Sequence, residues 1–264
     1  VGDENIIKKI FNYKIDGIIH IAGQSSGQVS FENPVYDLKT NALSTLLLLK
    51  YAIATGVKKF LYASSMSVYG NMTHLPAREN SITAPESIYA VGKLASEQYL
   101  RIFSQKGIRT TALRLFNVYG PGQNLLNLKQ GMVSIYLAQA LYNKEVIVTG
   151  AKDRYRDFVY IDDVVEAFSL LYFSVQQNPF TIYNVCSGKP RTVEELLEKI
   201  EHTINLKLNI KFIEGIIGDQ FGIYGDFSRL NQDTEWQPSI PFTTGLNNMI
   251  VWAKNIKQKK LIET

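Results

Sequence analysis

The chain has a single cysteine, Cys186, among 264 residues. One thiol cannot form an internal disulfide and leaves no thiolate cluster for zinc, so a reducing compartment, the cytoplasm, is expected. Histidine is nearly as scarce. His20, His74 and His202 have no acidic or cysteine neighbours at metal-ligand spacing, and no metal is expected. Long hydrophobic runs are missing too: the richest stretch, Leu43 to Ala54, is interrupted by Ser44, Thr45 and Lys50 and is too short to span a bilayer. Neither a transmembrane segment nor a signal peptide is visible. Charge of one sign is also in short supply. Lys plus Arg at 28 against Asp plus Glu at 24 gives +4, too small and dispersed to specify nucleic acid or membrane as a partner, though it allows an anionic small molecule.

What is present is an ordinary globular composition, 45% apolar and 20% charged, on a chain long enough to bury its own core. Ile6, Ile7, Ile10 and Phe11 fit one apolar helix face. Asp16 to Ala22 is a short β-branched run suited to a strand buried on both faces. Pro34 to Thr55 has a helical pattern closing at Gly56. Lys59 to Ser64 and Thr110 to Phe116 are strand-like and flank a helix over Pro85 to Gln105. Alternating helices and strands with short connections predict an α/β fold, a doubly wound parallel sheet. After Gly120-Pro121-Gly122 the rhythm loosens, and a smaller C-terminal substrate-binding lobe is expected. The division reads as 1–122 with about 157–187 for the sheet domain, and about 123–156 with 188–264 for the lobe. Further helices are expected from Met132 to Asn143, Asp163 to Val175 and Leu246 to Ile256, and strands over Val146 to Val148, Asp157 to Ile161 and Thr181 to Val185. Thr192 with Glu195 forms a capping box that opens another helix.

Two clusters carry chemistry. In Tyr89-Ala90-Val91-Gly92-Lys93 the first and last residues share a helix face, so an ammonium can sit beside a phenol. A nearby cation favours the phenolate and makes the tyrosine usable as a general base near neutral pH. Ser64-Ser65-Met66-Ser67-Val68-Tyr69-Gly70 directly follows a strand, and in parallel sheets ligands bind at the carboxyl ends of strands. A serine there can hydrogen-bond the oxygen that Tyr89 deprotonates.

Taken in order with Leu113-Arg114-Leu115-Phe116-Asn117-Val118-Tyr119-Gly120-Pro121-Gly122, Arg156-Asp157-Phe158-Val159-Tyr160 and Tyr183-Asn184-Val185-Cys186-Ser187-Gly188, these motifs resemble the extended short-chain dehydrogenase/reductases, and within them the NAD-dependent nucleotide-sugar epimerase/dehydratase family. The resemblance covers essentially the whole chain and implies a Rossmann-type sheet. It implies Tyr89 as catalytic base, Lys93 as the residue that lowers its pKa and holds the nicotinamide ribose, and Ser65 as hydroxyl partner. Ala22, Gly23, Gln24, Asn41, Ser64, Phe116 and Val118 fall with the cofactor, and Ser67, Asn117, Arg156 and Asp219 with a nucleotide-diphosphate sugar. Arg156 would grip the diphosphate through its forked donors.

Two departures stand out. The family's Gly-x-x-Gly-x-x-Gly loop is absent, and about fifty residues of strand, helix and strand would normally precede Val1. The sequence therefore reads as a fragment in preference to a protein unable to hold NAD normally, and the residue that decides NAD against NADP lies in the missing part. In Ile216-Ile217-Gly218-Asp219, Ile216 stands where a second diphosphate-binding arginine is common. The implied reaction is hydride transfer at C4 of the sugar, most simply 4-epimerisation. The family's 4,6-dehydratases carry Asp-Glu after the hydroxyl residue. Here those positions hold Met66 and Ser67, which disfavours dehydration; a 4,6-dehydratase and a 4-keto reductase or dehydrogenase of the same family are the enzymatic alternatives. A non-catalytic NAD(H) or nucleotide-sugar binder is the alternative of another class. The family also implies a homodimer through helices at about 33–55 and 85–105, in line with apolar residues on more than one face of each.

Overall fold

The computed structural model describes residues 2–143, 145–175, 178–215 and 220–262, with side chains to Ile256. Helix α1 (Glu4–Ile10) leads into strand β1 (Gly17–His20). Short helices α2 (Gly27–Glu32) and α3 (Pro34–Leu38) pass through a π-helical turn at Lys39–Leu43 into α4 (Ser44–Thr55), and then comes β2 (Lys59–Ser65). The expected single helix from Pro34 to Thr55 is thus broken by one widened turn around Asn41. The end matches expectation: Gly56 adopts the left-handed conformation, φ 78°, that a residue with a side chain rarely takes. A 3-10 turn (Met66–Tyr69), α5 (Ile88–Ser104), β3 (Arg109–Leu115), β4 (Asn117–Tyr119) and α6 (Met132–Tyr142) follow.

The remaining elements are β5 (Glu145–Thr149), β6 (Tyr155–Tyr160), α7 (Ile161–Phe173), β7 (Phe180–Val185), β8 (Pro190–Thr192), α8 (Val193–Ile204), β9 (Asn209–Ile213), β10 (Gly222–Ile223), α9 (Ser228–Thr234) and α10 (Phe242–Ile262). The capping box at Thr192 and Glu195 is present, each side chain bonding the other's backbone N–H. Strands β4, β8, β9 and β10 and helices α2 and α9 lack a clear sequence signal, because each is short and carries too few residues for a period to show.

The main sheet is all parallel in the order β1-β2-β3-β7. Successive β2 residues serve opposite faces, as the pleat demands. Phe60 and Tyr62 join Ile7, Leu48, Leu49, Ala52, Leu100 and Ile108 beneath α1, α4 and α5, whereas Leu61 and Ala63 face Phe168, Leu171, Leu230 and Trp236 under α7 and α9. Helices cover both faces, which is why these strands read as nearly continuous apolar runs. Strand β6 pairs with β4, β10 and β8 in a second sheet. Its Phe158 and Tyr160 enter the core formed by α6, α8 and α10, while Val159 faces the core under α7. The sequence boundary at about residue 157 therefore falls inside a strand that serves both cores. No helix among the described residues is long and apolar enough to cross a membrane.

Candidate active site

The carboxyl end of β2 meets one face of α5. Ser87 caps α5, its hydroxyl accepting from the Ala90 N–H at 3.1 Å, and this starts the helix just before Tyr89. Tyr89, Lys93 and Glu97 then recur every four residues and form a row against the strand end. Lys93, only 4% exposed, donates to the Ala63 carbonyl at 2.9 Å. The Ser64 hydroxyl donates to Glu97 Oε1 at 2.5 Å, and the Ser65 hydroxyl acts on the Tyr89 phenol, favouring its ionised form. Three consecutive β2 residues thus engage three residues of one helix face. Beyond them Gly70, with φ 65°, lies so close to the Ala84 carbonyl that a side chain there would collide with it.

The ammonium of Lys93 lies 5.6 Å from the Tyr89 ring centre and 4.8 Å from that of Tyr62. Burial pushes its pKa down to about 8, against the pull of the Asp37 carboxylate. Burial likewise pushes half-buried Tyr89 up to about 12; the Ser65 hydrogen bond works against that rise and the negative charge of Asp37 adds to it. In the chain by itself, desolvation is the largest influence on the phenol.

Asn41, buried within the π-helical turn, donates to the Gln24 carbonyl at 2.9 Å and to Asp37 Oδ2 at 3.1 Å. Gln24 Nε2 donates to the same Asp37 oxygen at 2.6 Å. A Cβ on Gly23 would stand 2.5 Å from Asn41 Oδ1, so the close approach requires glycine. Ile21, Ala22 and Gly23 are exposed beyond the end of β1. His20, by contrast, is buried against Phe60 and Tyr62 with its ring 3.3 Å from the Ser44 hydroxyl, a core residue outside the chemistry.

Other sequence-selected residues lie further out. Phe116 is buried with Val68, Tyr69, Ala77, Cys186 and Ile223, while Val118 is half-buried. Cys186 fills core space there. Asn117 donates to the Asp157 carbonyl at 3.3 Å and to Met66 Sδ at 3.6 Å, which ties β4 to the turn after Ser65. Arg156 is buried. Its Nη1 donates to the Tyr155 and Phe221 carbonyls at 2.8 and 3.1 Å, and its Nη2 to the Gln220 carbonyl at 2.7 Å. Burial and the neighbouring Arg154 push its pKa down to about 10. Asp219 and Ile216 lie outside the described residues. Among those residues no group of acidic, His or Cys side chains could hold a metal.

Three contributors escaped sequence reasoning. Asp37 is wholly buried with its pKa raised by desolvation, although Gln24 and Asn41 bond it. Glu97 and Arg114 form a buried pair, Nε to Oε1 at 2.9 Å and Nη2 to Oε2 at 2.7 Å. Arg114 also covers the Tyr69 ring at 4.7 Å, and the Tyr69 hydroxyl donates to Asn184 at 2.6 Å. The recurrence Tyr89, Lys93, Glu97 at steps of four is the signal that could have revealed Glu97.

A parallel sheet with helices on both faces, and Ser, Tyr and Lys meeting at the carboxyl end of one strand, define a short-chain dehydrogenase/reductase enzyme. The family model "NAD dependent epimerase/dehydratase family" matches residues 1–186, and the chain belongs to that family. A putative UDP-glucose 4-epimerase of Methanocaldococcus jannaschii is 32% identical over 97% of this chain and 82% of its own length. The crystal structure of UDP-glucose 4-epimerase from Thermotoga maritima with UDP-glucose superposes with a TM-score of 0.92, at 30% identity, over 97% of this chain and 83% of that one. A second, UDP-glucose 4-epimerase from Thermus thermophilus in complex with NAD, gives a TM-score of 0.88 at 28% identity, over 96% of this chain and 82% of that one.

Proposed function

We propose that the protein is an NAD-dependent 4-epimerase of nucleotide-diphosphate sugars. The observation that carries the reading is the row of α5 against the end of β2, which brings Ser65 to Tyr89 with Lys93 beside the ring. The residues suit NAD. Among the described residues, Lys93 Nζ donates only to Ala63, which leaves protons for ribose hydroxyls. The exposed Ile21 and Ala22 offer apolar surface next to it. Lys93, Asn41, Gln24, Gly23, Ala22, Ser64, Phe116 and Val118 would hold the cofactor. When bound, NAD supplies a hydride acceptor for the sugar C4 and a pyridinium charge that favours the Tyr89 phenolate.

Tyr89 takes the proton of the C4 hydroxyl as hydride leaves C4, with Ser65 hydrogen-bonding that oxygen, which gives a 4-keto sugar. Tyr89 then returns the proton as C4 takes hydride back on the other face of the sugar. Met66 and Ser67 carry no group able to protonate a leaving hydroxyl near neutral pH, which favours epimerisation over dehydration. Asn117, Ser67, Arg156 and Asp219 are assigned to the nucleotide sugar, and the α6–α8–α10 lobe, about 123–156 and 188–264, to closing over it. The lone buried Cys186 favours the cytoplasm.

The test is full-length protein loaded with NAD and offered a panel of nucleotide sugars, with products resolved as C4 epimers. Epimer formation is expected. Tyr89→Phe should lower turnover by about 10² to 10⁴, the usual contribution of a positioned general base, while the protein remains folded. Cofactor binding with no conversion of any sugar would instead make it a binding protein.

A further inference from the structure

The three serines at the end of β2 send their protons in different directions. The Ser64 hydroxyl is spent inward on the Glu97 carboxylate at 2.5 Å. Ser65 Oγ accepts twice from Ser67: from its backbone N–H at 3.2 Å and from its hydroxyl at 2.9 Å. The N–H can only donate. The hydroxyl pair could in principle run either way, but a phenolate at Tyr89 is the strongest acceptor within reach of Ser65. Once Tyr89 is ionised, Ser65 gives its one proton to it, and both of its lone pairs are left for Ser67.

We infer that Ser67 is a positioning residue that fixes Ser65 as a hydrogen-bond donor toward Tyr89, a role separate from any contact with the sugar. The arrangement is local and cooperative. Ser65 caps the 3-10 turn that carries Ser67, so the same turn that ends the strand also aims the hydroxyl. The other groups acting on Tyr89 are Lys93 on its own helix and Asp37 on α3, and neither contacts Ser67. This inference rests on Tyr89 acting as the base.

Ser67 is half-buried, and its replacement by alanine or threonine leaves the fold in place. In Ser67→Ala, kcat at neutral pH should fall about tenfold, the size of one hydrogen bond feeding a charged group. The acid limb of the kcat–pH profile should move up by about one unit, an effect that loss of a sugar contact alone would not produce. Ser67→Thr, which keeps the hydroxyl, should restore both. A second reading does not depend on turnover: with 13C-ring-labelled tyrosine, the resonance that vanishes in Tyr89→Phe should titrate higher in Ser67→Ala than in the parent. A raised KM with an unmoved acid limb and an unmoved Tyr89 resonance would reduce Ser67 to a substrate contact and overturn the inference. An enzyme that converts no nucleotide sugar, yet shows the Tyr89 resonance shifting, would refute the proposed activity and leave the role of Ser67 standing.

Discussion

Replacing Glu97 by methionine is the sharpest probe of what holds the site together. The Arg114–Glu97 side chains are 3% and 0% exposed, and the pair is bidentate. Methionine fills similar volume, so the change removes charge and acceptors without opening a large cavity. It leaves the Arg114 guanidinium buried and facing only the Glu79 carbonyl at 3.1 Å and the Tyr69 ring, and it strands the Ser64 hydroxyl. An uncompensated buried charge costs about 3–5 kcal/mol. The total stability of such a domain is only about 5–15 kcal/mol. With a urea slope of about 3 kcal/mol/M, the unfolding midpoint should drop by about 1–1.7 M.

The double variant Glu97→Met with Arg114→Met removes the stranded charge as well. It should recover most of that loss, leaving about 1–3 kcal/mol for the unpaired Ser64 and Glu79 groups. Urea unfolding followed by far-UV circular dichroism reads both. If the single variant lost less than about 1 kcal/mol, or the double were no more stable than the single, the pair would not be a desolvated ion pair and the account of the β2–α5 junction would be wrong.

Burial, with the nearby Lys93 charge adding to it, depresses the His20 pKa from 6.5 to about 3, so between those values the unfolded chain binds a proton that the native state does not. The His20 contribution to stability should therefore be flat above about pH 6.5 and fall below it by about 1.4 kcal/mol per pH unit; urea midpoints at pH 7 and pH 5 should show that excess slope vanish in His20→Asn, and an unchanged slope would mean the histidine is not buried neutral. Arg156→Ala should weaken nucleotide-sugar binding and also lower stability by about 1–3 kcal/mol, because the Gln220 carbonyl loses the Arg156 donor and the Phe221 carbonyl keeps only the Tyr155 N–H among the described residues; calorimetric titration with unchanged affinity would leave the arginine a purely structural clamp. For the proposed homodimer, Leu48 is only 6% exposed and belongs to the internal core, so charge there tests folding and not assembly. The outward face of α5 carries Val91 and Ile102 at 53% and 47% exposure, with Val35 and Leu38 of α3 also exposed; Ile102→Glu should turn a dimer into a monomer by light scattering, and a dimer that survives it would place the interface elsewhere.

The amino-acid order alone determined the parallel α/β architecture and the row of chemistry on α5. Both are written in short-range periodicity: β-branched runs for strands covered on both faces, a step of four from Tyr89 to Lys93, and Ser65 at the carboxyl end of a strand. It also determined where one helix stops and another starts, since Gly56 ends α4 and the Thr192–Glu195 box opens α8 through their own backbone groups. What only the tertiary structure decided depends on desolvation and on contacts between distant segments. The widened turn at Asn41 depends on how α3 and α4 meet Gln24, which lies in another connection. Strand β6 reads like a member of the main sheet, yet it pairs with β4 because its alternate residues serve two cores. The rise of the Tyr89 pKa could not be had from spacing, because a step of four places Lys93 on the right face but says nothing of the burial that is the largest influence on the phenol. Glu97 pairs with Arg114 only once β3 lies beside β2, and the energy of that pair comes from the exclusion of water, which no single segment can provide.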